Sequence, residues 1–184
     1  TTVSTALDAF AHAAESYLAN NANILSESYA LAALPLVWEG LRHFYETGKL
    51  PDQKLREKLY IGSLLSGLAI NITGTLFPHA IGYVLTEECG IPHGKATAAF
   101  APVLLERAQR FAPKKAQDIL NLVSCPQEEL VAILRSLTGV HKLFTGEQAH
   151  EIARRWEQQV PANFLRSPGS FTASDGENAL LSLQ

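Results

Sequence analysis

The chain has 184 residues, 47% of them hydrophobic and 18% charged, and carries a formal net charge of −3. A chain of that length and apolar content can bury a substantial core. Its charge balance leaves no basic footprint for nucleic acid or an anionic membrane, and no apolar run is long enough to span a bilayer.

In chain order, nearly every segment reads as helix. Leu7, Phe10, Ala11, Ala14 and Leu18 follow the i, i+3, i+4 rule of an amphipathic helix. A second helix is expected from Ile24 to Glu46, ended by Gly48 and Pro51. A third follows from Pro51-Asp52, with a charged first half and an apolar second half, as if driving from the surface into the core. Its Gly62, Ser63, Ser66 and Gly67 are small enough to admit a neighbouring helix closely. Further helices are expected over 74–88, 93–111, 114–123, 126–137 and 145–157. In "SCPQEEL", Ser124 is the expected N-cap of the helix over 126–137, with Pro126 near the helix start. Ile152 and Trp156 are the inward residues of the last. From Pro161 the tail reads as loose, with a short apolar end. Alternating strand patterns are missing, so the expected fold is all-α, a multi-helix bundle of about eight or nine helices. Cys89 and Cys125 make no disulfide framework in a chain this long, and with no signal peptide the expected location is cytoplasmic.

Polar residues that share a helix face are the candidates for chemistry. Asp8, His12 and Glu15 stand at i, i+4 and i+7, one stripe at about 100° per residue. A carboxylate and an imidazole one turn apart can chelate one ion. "HAIGYVLTEECGIPHG" adds His79 and His93, the latter stiffened by Pro92 and followed by Gly94, which lets the backbone turn closely. One Asp and three His suit Fe2+ or Zn2+. Each residue also has a plainer explanation: a surface Asp–His pair, a helix-capping His79, a His93 that satisfies a buried carbonyl. His43, His141 and His150 sit in charged or loop contexts and read as surface residues.

The stretch "DAFAHAAE" is similar to the Asp-Ala-x-x-His-Ala-x-Glu stretch that opens the helical domain of iron-dependent (group III) alcohol dehydrogenases. "PHAIGYVLTEECGIPHGKA" resembles that family's second signature, a His followed fourteen residues on by the His of Pro-His-Gly. "LREKLYIGSLLSGLAIN" between them fits too, and the likeness is good through about Arg110 and looser beyond. The resemblance implies that Asp8, His12, His79 and His93 hold one divalent metal, usually Fe2+ and sometimes Zn2+. That metal would act as a Lewis acid on an alcohol or carbonyl oxygen while hydride passes to or from NAD(P). Glu15 would then be an outer partner or a surface residue rather than a ligand.

Many members carry a second His four residues after the first. Here that position is Tyr83, the candidate catalytic residue near the nicotinamide. Pro78 and Glu87 also depart from the family pattern and point to a divergent branch.

Nothing reads as strand–GxGxxG–helix. The expectation is therefore that residues 1–184 form a single all-helical metal-binding catalytic domain, of the dehydroquinate synthase-like C-terminal type. The N-terminal dinucleotide-binding α/β domain would be absent from this chain, and would supply most of the NAD(P) contacts. The expected partners are that domain, a small alcohol or aldehyde substrate and, for the assembly, a second copy in a homodimer. The isolated half is expected to be inactive. Competing readings are a glycerol dehydrogenase or dehydroquinate synthase-like relative with the same metal geometry, and a non-catalytic helical interaction module.

Overall fold

The computed structural model describes residues 2–183, and among them there is helix and no strand. Eleven helical segments follow one another: α1 (Thr2–Leu18), α2 (Ile24–Thr47), α3 (Gln53–Thr73), α4 (Phe77–Cys89), α5 (His93–Ala98), α6 (Ala101–Phe111), α7 (Pro113–Val123), α8 (Gln127–Thr138), α9 (Gly146–Gln158), α10 (Ala162–Arg166) and α11 (Ala173–Leu181). Nine of these described helices are of seven residues or more, in line with the sequence expectation.

The first helix occupies the middle. Its residues from Ala13 to Leu18 are all buried, on every side of the helix. Alanines at 6, 9, 11, 13 and 14 make this feasible, because a helix with small side chains can take neighbours all round. Glu15 and Ser16 are carried inside with them. The stripe of Asp8, His12 and Glu15 therefore faces other helices, with Glu15 fully buried and Asp8 and His12 half-buried.

The second and third helices pack closely through small residues. A Cβ added to Gly62 would stand 2.7 Å from a methyl of Val37, and Ser66 folds its hydroxyl back onto the Gly62 carbonyl at 2.8 Å. Gly40 faces Leu59 in the same way. The expected role of Ser63 and Gly67 does not hold: both are exposed, and Gly67 has open space beside it. The expected plunge of this helix into the core is corrected as well. Only Gly62, Ser66, Ala69 and Thr73 are buried, while Tyr60, Ile61, Leu64 and Leu68 remain exposed. Its apolar second half spreads round the helix, and half of that spread faces outward.

At Gly74 the chain takes a positive φ of 70° and turns, so that α3 and α4 meet at 108°. Glycine tolerates that backbone where other residues are strained. The turn brings the start of α4 against the central helix.

Three further corrections concern boundaries. The helix expected over 93–111 is two helices, broken at Ala99–Phe100 ahead of Pro102, which lacks the N–H a continuing helix needs. Ser124 is not an N-cap. It closes α7 in the left-handed conformation (φ 48°), and α8 starts from Pro126 with no side-chain cap. The tail is not loose, for it forms α10 and α11. Thr172 and Asp175 build a capping box at α11, Gly176 lies against the Trp156 ring, and Phe77 stacks on Phe171 at 3.9 Å. Ile152 and Trp156 point inward as expected, and Cys89 and Cys125 are free thiols.

Candidate metal centre

The central helix, α4 and the first residue of α5 meet at one point. Asp8 and His12 come from the central helix, His79 from the first turn of α4 and His93 from the start of α5. The Nε2 atoms of His12, His79 and His93 stand 3.9, 3.6 and 3.7 Å from Asp8 Oδ1. His12 Nε2 and His79 Nε2 are 3.0 Å apart, with their rings stacked at 14°. Asp8, His12 and His79 form the tight trio, their ligand atoms all within 4.8 Å of one another. His93 joins through the carboxylate and is the more open member, its side chain 37% exposed against 2% for His79.

These separations fit a shared ion. Ligands about 2.1 Å from a tetrahedral metal stand roughly 3.4 Å from one another. The donor set itself, one carboxylate and three imidazoles, suits Fe2+ or Zn2+. Asp8 Oδ1 is buried and has no hydrogen-bond partner, although three imidazole nitrogens surround it. A buried acceptor left in that state is costly in a protein interior. A cation at the centre would satisfy it.

Close approach of the helices makes the cluster. A Cβ on Gly94 would overlap the Ser4 carbonyl oxygen and come 2.9 Å from Asp8 Cβ, so α5 can lie on the central helix at this height only with glycine there. Gly82 lets α4 approach Thr97 of α5, where an added Cβ would meet the backbone at 3.0 Å. The sequence reading gave Gly94 the task of turning the backbone round the ion. The structure gives it a different one, contact with Ser4 and Asp8.

Behind His79 lies Glu15, fully buried. Its Oε1 is 2.7 Å from His79 Nδ1 and its Oε2 accepts the Leu76 N–H at 2.6 Å. The next amide, Phe77 N–H, donates to Ser167 Oγ at 3.0 Å. Asn20 holds that same segment by donating to the carbonyls of Leu165 and Ser167. Asn20 and Ser167 were not singled out in the sequence, where nothing but their side-chain chemistry marks them. Tyr83 lies on the other side, its ring 5.3 Å from that of His93 and 49% exposed. His43, His141 and His150 lie away from this cluster; His43 meets Thr47 and the exposed His150 meets Glu177.

Electrostatics follow from the crowding. Burial pushes the His12 imidazolium down, and the neighbouring imidazoles add to this against the pull of Asp8, so its pKa falls to about 4. Burial also acts to lower His79, but Glu15 and Asp8 more than reverse it and lift the pKa to about 9. Burial works to raise the Asp8 carboxyl, and the surrounding histidines overcome it, leaving the pKa below the ordinary value. For Glu15 burial wins, and the carboxyl is raised.

The two histidines set opposite pH limits on the metal-free chain. His79 is raised above an unfolded value near 6.5, so its contribution is present below that pH and is lost as pH rises through about 9. His12 is depressed, so stability is lost as pH falls from about 6.5 towards 4. Between them they favour the metal-free fold most in the window between these two limits. Thermal unfolding across pH is expected to show the decline on the alkaline side in the wild type and to lose it in His79→Ala.

An acid and three imidazoles gathered from three helices define a helical module that carries the donor set of a metal site. The model of the Fe-containing alcohol dehydrogenase family, C-terminal part, matches residues 2–145, and the chain belongs to that family. Among its relatives is long-chain-alcohol dehydrogenase 1 of Geobacillus thermodenitrificans strain NG80-2, 33% identical over 142 residues, which span 77% of this chain and 35% of the relative. The crystal structure of an iron-containing alcohol dehydrogenase from Thermotoga maritima superposes with a TM-score of 0.83 at 29% identity, covering 98% of this chain and 49% of that one. Sulfoacetaldehyde reductase from Bifidobacterium kashiwanohense, solved in complex with NAD+, shares the fold at 21% identity and a TM-score of 0.83, over 99% of this chain and 50% of its own. The chain thus spans about half the length of the solved relatives and a third of the curated one.

Proposed function

We propose that this chain is the metal-binding half of an NAD(P)-dependent alcohol dehydrogenase, acting equally as an aldehyde reductase, with Asp8, His12, His79 and His93 as the ligands of one Fe2+ or Zn2+ ion. The observation that carries the reading is the buried, unpartnered Asp8 Oδ1 at the meeting point of three imidazole nitrogens. The name of the Geobacillus relative supports the alcohol substrate class, and the NAD+ complex of the Bifidobacterium fold neighbour supports a dinucleotide co-substrate.

A bound divalent ion supplies a Lewis acid for the alcohol or carbonyl oxygen. The chain's own residues do the rest that falls to this half. The central helix presents Asp8 and His12 from a rigid, buried support, and α4 and α5 set His79 and His93 against them. Tyr83 lies flat on His93 at the open edge of the cluster, where its phenol can donate a hydrogen bond to an alcohol or aldehyde oxygen or pack against a nicotinamide. Most of the dinucleotide contacts belong, on this reading, to an N-terminal α/β domain paired with this one, in a cytoplasmic enzyme.

The test is alcohol-dependent reduction of NAD+ or NADP+ by this chain joined to its nucleotide-binding half, before and after chelation. Activity that a chelator abolishes and Fe2+ or Zn2+ restores supports the reading. Turnover indifferent to chelation contradicts it. This chain by itself should hold metal and give no turnover.

A further inference from the structure

Glu15 has no place in the ligand set, yet it is fully buried and both of its oxygens are committed. One faces His79 Nδ1 and the other accepts the Leu76 N–H. Leu76 is the N-cap residue of α4, and it offers no side-chain cap to the helix it begins. The first amides of a helix need acceptors from elsewhere. Glu15 answers that need for Leu76, three residues before the histidine it also touches.

We propose that Glu15 is a positioning residue that keeps the His79 proton on Nδ1 when an ion displaces the one on Nε2, so that Nε2 is the nitrogen turned to the ion beside Asp8 and His12. The proposal rests on the metal reading of His79 given above. A neutral imidazole has one N–H and one lone pair, and the hydrogen bond made by one nitrogen decides the state of the other. Glu15 Oε1 accepts from Nδ1, and the same carboxylate is anchored by the Leu76 amide, so the ring is held in orientation as well as in tautomer. The carboxylate also lies at the N-terminal end of α4, where a negative charge is favoured. One side chain therefore ties the docking of α4 on the central helix to the readiness of His79 to ligate.

The geometry asks for two acceptors, and only a carboxylate supplies both. Glutamine at this position has one acceptor and one donor. If its oxygen takes the Leu76 N–H, its amide group faces Nδ1 and forces the His79 proton onto Nε2, where the ion should bind. If it turns the other way, the Leu76 N–H meets another donor.

The experiment is Zn2+ binding to the chain by competition with a chromophoric chelator, for the wild type and Glu15→Gln, with thermal unfolding of both in excess chelator. Glu15→Gln is expected to weaken Zn2+ binding by roughly 10–100-fold, the usual cost of losing such an outer partner. A role confined to packing would lower the unfolding temperature of the metal-free protein and leave the Zn2+ affinity of the folded form unchanged, which overturns the proposal. Nitrogen NMR of histidine in the Zn2+-loaded wild type needs no variant to fold. It should show a slowly exchanging His79 Nδ1–H, and a proton on Nε2 instead overturns the proposal. Wild type that binds no Zn2+ overturns the metal reading and this inference together. Wild type that binds it as tightly as Glu15→Gln does overturns this inference alone.

Discussion

Alanine at position 8 is expected to leave the chain folded and unable to hold a divalent ion. Asp8 is the single anionic member of the cluster, and its Oδ1 stands 3.6–3.9 Å from all three Nε2 positions. Its side chain is about a quarter exposed (26%) and it sits inside a helix, where alanine is the best-tolerated residue. The helix should therefore persist. Loss of an outer partner costs a metal site about 10–100-fold, and loss of the anionic ligand itself costs more. The rise in unfolding temperature that Fe2+ or Zn2+ gives the wild type should vanish in Asp8→Ala, because an ion that no longer binds the native state cannot stabilise it. A wild-type-sized rise in the variant would remove Asp8 from the site.

The second large effect is expected from a substitution that adds one carbon and no chemistry. Gly94→Ala places a methyl where the Ser4 carbonyl oxygen already stands, with Asp8 Cβ 2.9 Å away. Neither atom is the far end of a flexible side chain, so α5 must move off the central helix. Overpacking of this kind costs about 1–3 kcal/mol. Movement of α5 also carries His93 away, since that residue is the immediate neighbour of Gly94 and the first of the helix. The variant should therefore show both a lowered unfolding temperature in chelator and weakened Zn2+ binding. Gly90→Ala is a useful contrast. Its positive φ of 68° strains alanine, but an added Cβ meets nothing within 4 Å, so it should lower stability and spare metal affinity.

These two residues also show how much of the site was legible in the sequence. Asp8, His12 and Glu15 could be placed on one stripe because helical periodicity is local, and the structure keeps them there. What the periodicity could not say was that this helix lies in the centre of the fold, which is why Glu15 is buried rather than at the surface. The meeting of His79 and His93 with that stripe depends on the turn at Gly74 and on contacts at Gly82 and Gly94, which are tertiary facts. For those positions it was the resemblance to a family, and not any spacing rule, that joined the four residues.

The fold shows the same division. Long periodic helices were readable, whereas the break before Pro102 was hidden by an alanine-rich run in which any register looks apolar. The tail was misread for a related reason. Phe164 and Phe171 pack together and, with Phe77, hold the start of α4, but two isolated aromatics separated by Pro168, Gly169 and Ser170 carry no period to recognise. The outward face of α3 departs in the opposite direction, since Tyr60, Leu64 and Leu68 are apolar residues that the pattern predicts to be interior and that stand exposed.

The central claim is that four side chains from three helices form one metal centre, and elemental analysis of the chain purified without oxygen tests it most directly. Asp8→Ala, purified in parallel, serves as the reference. The account predicts about one Fe or Zn per wild-type chain, the complement of a single four-ligand site, and none in the variant. A metal-free wild type that also refuses added Fe2+ and Zn2+ would contradict it.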